Sequence, residues 1–101
     1  MRIGDIYIDN KCNFIRIDSF VSKLSCKYKP LSIFNPLRIV VNKLIIIDNE
    51  VTYSPSFNKL TTQKYIEKHY TLYKSSNDIK MSNVDEINQE IYNIIQQKST
   101  L

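Results

Sequence analysis

The sequence predicts a small, mainly β domain of the α+β class: an antiparallel barrel or curled sheet, a short helix before the last strand, and an amphipathic helix at the C-terminal end. Three observations predict it. Residues Leu37 to Tyr53 form the densest β-branched run in the chain and carry their own reversal signal at Asp48-Asn49. Shorter alternating runs stand on both sides of it. Near the end, Val84, Ile87, Ile91 and Ile94 repeat at helical spacing. A chain of 101 residues suffices for one modest core, not two.

Ile3 to Ile8 reads as the first strand, with Ile6 and Ile8 on one face and Asp5, Tyr7 and Asp9 on the other. Asp9-Asn10-Lys11 is a turn. Phe14 to Phe20 is the second strand, with Ile15 and Ile17 on one side and Phe14, Arg16, Asp18 and Phe20 on the other. Leu24 to Tyr28 reads as a short third strand ended by Pro30, and Leu31 to Pro36 as a surface loop between prolines.

In the central hairpin a two-residue Asp48-Asn49 loop sets Ile47 opposite Glu50, Ile46 opposite Val51 and Leu44 opposite Tyr53. Both loop residues tolerate the positive φ that a type I′ turn demands. Leu44, Ile46, Val51 and Tyr53 then form a core face. Ile45 and Ile47 fall on the other side, beside Thr52 and Glu50, and need cover from the protein or from a partner. Pro55 is expected to close the second strand of the hairpin.

Thr61 is the expected N-cap of a short helix from Thr62 to about His69, with Leu60 and Tyr65 spaced as a hydrophobic staple. Thr71 to Lys74 returns to strand, and Ser75-Ser76-Asn77-Asp78 is polar linker. Ser82 or Asn83 caps the last helix, Val84 to about Lys98, whose first-turn Asp85 and Glu86 suit the helix dipole. The expected organisation is a β domain over 1–74, a linker over 75–82 and an amphipathic helix over 83–98. The isoleucine stripe of that helix either docks on its own domain or pairs with a second copy or partner.

The chain lacks alanine and tryptophan and has one glycine, while isoleucine, asparagine, lysine and tyrosine abound. This usage points to an AT-rich genome. Asparagines 10, 42, 49 and 58 are expected to replace glycine at turns, since asparagine tolerates the left-handed region. Charge is uneven. Residues 1–74 carry twelve Lys and Arg against six Asp and Glu, a net +6, and residues 75–101 carry two against four, a net −2. A basic body permits an acidic partner or a solvated surface. No run of about 18 apolar residues is present, so no membrane span is expected. The N-terminal residues lack the apolar core of a secretory signal, and Cys12 and Cys26 are expected as free thiols of a cytoplasmic protein.

No cofactor is expected. The two cysteines and the single histidine, His69, fit no metal motif, and one glycine leaves no phosphate loop. His69 reads as a half-buried structural residue between Tyr65 and Tyr73. Without a nucleophile–base pair or a matched carboxylate pair, an enzyme is not expected.

The order of elements has a likeness. Gly4-Asp5-Ile6-Tyr7 opens the first strand, F-I-R-I-D-S-F follows, and T-T-Q-K-Y-I-E-K-H-Y drops into T-L-Y-K. Over residues 2–74 this resembles the small SH3-like barrels of phage and mobile-element proteins. Those often open on G-D-x-Y/W and close with a short aromatic-bearing helix before the final strand. The resemblance implies a binding module and carries no catalytic residues.

Two functions are therefore expected from the sequence. In the first, the chain is a phage-encoded, anti-defence (anti-CRISPR-like) inhibitor in the host cytosol that binds a host protein or protein–RNA complex. Its contacts would be Ile33 and Phe34 in the proline loop, Ile45 and Ile47, and Ile87, Ile91 and Ile94 of the last helix, which would also serve a homodimer. In the second, it binds single-stranded RNA or DNA through interleaved cations and aromatics. Lys23, Lys27, Tyr28 and Lys29 form one such run. The other spans Lys59 to Lys74 and includes Lys64, Lys68, Tyr70 and Lys74.

Overall fold

The computed structural model describes residues 1–21 and 38–99. The strand expected at Leu24–Tyr28, the loop at Leu31–Pro36, and the sites Lys23, Lys27, Tyr28, Lys29, Ile33 and Phe34 lie outside the described residues, as does Cys26. The described elements are β1 (Ile6–Asp9), β2 (Phe14–Val21), β3 (Arg38–Ile47), β4 (Glu50–Thr62), α1 (Gln63–His69), β5 (Tyr70–Lys74), a 3₁₀ turn at Ser76–Asp78, and α2 (Val84–Ser99). The strands form one antiparallel sheet in the order β4-β3-β2-β1-β5. Among the described residues its edges β4 and β5 do not pair, so the sheet is curled, not closed.

Alternation along the strands builds two cores, one on each face. Tyr7, Ile15, Ile17, Ile39 and Val41 meet Ile66 of α1, with Met1, Phe20 and Tyr70 packed at the rim. Ile6, Phe14 and Leu44 meet Ile87 and Ile91 of α2, joined by Ile8, Val51, Tyr73, Ile79, Ile94 and Ile95. Each helix therefore covers one face of the sheet. The stripe Ile87, Ile91 and Ile94 is used inside the molecule: Ile91 is fully buried, Ile87 nearly so and Ile94 half-buried. A surface formed by these residues for a partner or a homodimer is corrected on that ground.

The hairpin has the expected register, Leu44–Tyr53, Ile45–Thr52, Ile46–Val51 and Ile47–Glu50. Asp48 and Asn49 have φ of 53° and 64°, the left-handed pair that a type I′ turn needs. Pro55 does not end β4. Leu44 pairs with Tyr53 while Asn42 pairs with Asn58, so four residues of β4 (54–57) stand against one of β3 (Lys43). Pro55 falls in that interruption, where a missing N–H breaks no regular ladder bond.

A second irregularity corrects the reading of β2. Ile17 pairs with Val41 and Ser19 with Val40, so Asp18 is bulged out. The bulge turns Phe20 to the side of Ile15 and Ile17, where it packs against the first core. In the β1–β2 turn it is Cys12, with φ 63°, that takes the left-handed conformation, not Asn10. Asn42 lies within β3 and Asn58 within β4, so among the four asparagines only Asn49 supplies a positive φ.

The N-cap of α1 is Thr62, one residue later than expected. Its hydroxyl accepts from the Tyr65 N–H at 3.2 Å. Leu60 and Tyr65 are both exposed and no longer stand at staple positions, and Ile66 is the residue the helix buries. At α2, the Asn83 side chain accepts from the Lys80 N–H and donates to the Asp78 carbonyl, both at 2.7 Å. These bonds fix the approach to the helix.

The 75–82 segment is tied to the start of the chain. Gly4 turns at φ +96°, a conformation costly for other residues, and a Cβ there would come within 3.2 Å of the Ser76 Cβ. The turn lays the Asp5 carboxylate, buried to 4% exposure, between two backbone donors: the Arg2 N–H at 2.9 Å and the Ser76 N–H at 2.7 Å. Arg2 Nη1 adds a bond to Asn77 Oδ1 at 2.9 Å.

Candidate nucleic-acid interface

The end of β4 and α1 bring together what the sequence spread over ten residues. Lys59 is on β4, and its Nζ stands 5.3 Å from the centre of the Tyr65 ring. One helical turn on, His69 stacks on Tyr65 with ring centres 4.4 Å apart and a tilt of 42°. The i, i+4 spacing of a helix produces that contact. His69 is therefore an exposed member of a surface stack, not the half-buried structural residue expected. Lys64 and Lys68, also four apart, are exposed on the same short helix.

Beside this stack a groove of about 660 Å³ runs between α1 and the β1–β2 turn, lined by Lys11, Asn13, Tyr65, Lys68, His69 and Thr71 among others. Its carboxylates are already engaged. Asp9 accepts from the backbone N–H groups of Lys11 (2.9 Å) and Asn13 (2.8 Å) and from Asn13 Nδ2 (3.0 Å), and Glu67 accepts from Gln63 Nε2 at 2.6 Å. Burial alone would raise the Asp9 carboxyl. The Asn13 and Lys11 hydrogen bonds and the Lys98 charge outweigh it and hold the group below its ordinary value.

One expected member stays at the margin and one leaves the cluster. Tyr70 is half-buried: it packs at the rim of the first core and also lines the groove, and burial pushes its phenol upward. Lys74 lies at the far end of β5, 5.7 Å from the Tyr73 ring and beside Asp78, Glu86 and Glu90. A strict twofold period would leave Lys74 on the Tyr70 side; the register shift between Leu72 and Lys74 sets it opposite Ile6, on the face of the second core. Lys11 was missed because only the fold brings the β1–β2 turn to the helix.

A second concavity has no counterpart in the sequence reading. A cleft of about 460 Å³ opens on the α2 side of the sheet, between the β3–β4 hairpin, the Gly4 turn and the first half of α2. Arg16 reaches into it with its guanidinium 4.8 Å from the centre of the Tyr53 ring. Tyr53, expected in the core, is exposed at 47%, because the core ends at Leu44 and Val51 and leaves it as a cleft wall. Ile45 is half-buried and Ile47, at the hairpin end, is exposed.

Among the described residues no three His, Cys, Asp or Glu side chains are placed to hold a metal ion. Cys12 is a free thiol. No described helix is long and apolar enough to cross a membrane. Comparison with protein-family models, with curated proteins and with solved structures finds no match to the chain.

Proposed function

We propose that the chain is a non-enzymatic binding module that holds single-stranded nucleic acid along α1. The observation that carries this reading is the Lys59–Tyr65–His69 stack, flanked on the exposed helix by Lys64 and Lys68 and facing Lys11 across the groove. Lysines there neutralise phosphates, and the outer face of the aromatic stack offers a platform for a base. No duplex reader is invoked, because α1 has only seven residues and carries no row of side chains long enough to follow a major groove.

The test is fluorescence anisotropy with labelled single-stranded RNA and DNA across a salt series. Lys64→Glu with Lys68→Glu weakens binding at least about tenfold and lowers the slope of log affinity against log salt by about 1.4, the share of two phosphate contacts. Lys74→Glu, on the other side of the molecule, leaves both unchanged. Equal loss in the two variants would overturn the assignment to α1.

One observation favours a second reading, the host-protein inhibitor. Ile47 is 46% exposed at the hairpin end with half-buried Ile45 beside it, an apolar patch that α2 does not cover. That reading expects Ile47→Asp to abolish capture of a protein partner that survives nuclease treatment, with Lys64→Glu and Lys68→Glu harmless.

A further inference from the structure

The Arg16 cleft is a site of different chemistry, independent of the α1 face and on the other side of the sheet. Arg16 sits in the middle of β2, half-buried, and its neighbours along the cleft are Ile6, Leu44, Val51, Ile79 and Ile87. Such a position normally calls for a carboxylate partner. Among the described residues Arg16 has none: its contact is the Tyr53 ring. Nor is Arg16 sealed off: it is half-buried and lines the open cleft.

We propose that this cleft binds an amphipathic monoanion, a carboxylic acid with an apolar tail, whose carboxylate meets Arg16 and whose tail lies against the isoleucine wall. Charge sets the class of the head group. Among the described residues Arg16 is the one cation lining the cleft, and the buried Asp5 carboxylate lies just behind Gly4 and Ser76, so a dianionic phosphate would be under-neutralised where a carboxylate is matched. The walls set the tail. Aliphatic side chains are the more numerous in the lining, while Arg16, Thr52, Ser76 and Asn88 make its exposed surface slightly more polar than apolar, as suits an amphipathic ligand. A volume of about 460 Å³ is in the range of small-ligand sites and exceeds what a bare acetate would fill. Tyr53 holds the guanidinium in place from one side and leaves the fork available for two parallel hydrogen bonds.

Octanoate, octanamide and octylamine, added to the whole chain and followed by amide chemical shifts, test the proposal. Octanoate is expected to shift the signals of Arg16, Thr52, Tyr53, Ser76 and Asn88 with an affinity of about millimolar, as suits a ligand of this size. The isosteric but uncharged octanamide binds at least about tenfold more weakly, the share of a charge-assisted hydrogen bond, and octylamine is excluded. Arg16→Gln abolishes the preference for octanoate over octanamide, and Arg16→Lys retains it in reduced form. Equal binding of the acid and the amide by the unaltered chain would overturn the proposal without recourse to any variant, and so would the absence of shifts around the cleft with all three compounds.

Discussion

Tyr73 Oη donates to Glu90 Oε1 at 2.9 Å, joining the last strand to the C-terminal helix. The ring beneath that hydroxyl meets Phe14 edge-on, with centres 5.1 Å apart and planes at 81°, so one tyrosine links the second core to α2. Burial, then the hydrogen bond to the Glu90 carboxylate and its charge, push the Tyr73 phenol up to about 12. The raised value favours the protonated phenol in the folded state. The resulting stabilisation is fully present below pH 10, the ordinary tyrosine value, and is lost as pH rises toward about 12. Tyr73→Phe is expected to cost about 0.5 to 1 kcal/mol at neutral pH and to flatten part of the alkaline loss. Urea unfolding at pH 7, 10 and 11.5 measures both. The part that remains belongs to Tyr7 and Tyr70, which burial also raises.

Ile91 separates the roles of α2. It is fully buried against Phe14, Ile6 and Leu44, so its replacement acts on the fold. Ile91→Ala is expected to destabilise the protein by about 2 to 5 kcal/mol, a range reaching the whole stability of a small domain. If α2 instead paired with a second copy, the unfolding midpoint would rise with protein concentration. An intramolecular dock predicts one that does not.

Asp5 tests the Gly4 turn. Its buried carboxylate is held by backbone N–H groups on two distant segments, those of Arg2 and Ser76. Asp5→Ala leaves those donors without an acceptor, at an expected cost of about 2 to 3 kcal/mol. Asp5→Asn keeps an acceptor and costs less. Exchange protection of the Ser76 amide should fall in both variants, and further in the alanine one.

Local chemistry made much of this fold legible. The Asp48-Asn49 turn fixes its register by the backbone it requires, and the period of α2 is written in four apolar residues. What failed were the places where period and geometry part. A bulge at Asp18 reverses Phe20, and an interruption across Pro55 lets one strand continue through a residue that usually stops it. The candidate interface was legible in part for the same reason. Lys64 and Lys68 are helical neighbours, whereas Tyr70 and Lys74 follow them in sequence on a strand whose register shift keeps Tyr70 at the groove and core rim and turns Lys74 to the other face. Arg16 and Tyr53 lie 37 residues apart, and neither alone signals a cleft.

The β1–β2 turn provides the last prediction. Asp9 accepts three hydrogen bonds from Lys11 and Asn13, and its N–H and carbonyl close the same turn on Asn13 (3.0 Å) and Cys12 (3.2 Å). The hydrogen bonds hold the carboxyl below its ordinary 3.8 despite burial, so the charged form is favoured in the folded state. That stabilisation is present above pH 3.8 and is lost as pH falls through the lower, folded value. Asp9→Ala should cost about 1 to 2 kcal/mol at neutral pH and make stability less sensitive to acid between pH 4 and 2, as unfolding curves taken across that range would show. Cys12 adds a control within the same turn. Its φ of 63° is strained for a side chain of this kind, and Cys12→Asn is expected to stabilise the turn by about 0.5 to 1 kcal/mol without altering the acid profile. Because the turn also lines the groove beside α1, Asp9→Ala would disturb Lys11 while Cys12→Asn preserves it. Nucleic-acid binding that falls in the first variant and holds in the second would place the turn in the interface; binding unchanged in both would confine the interface to β4 and α1.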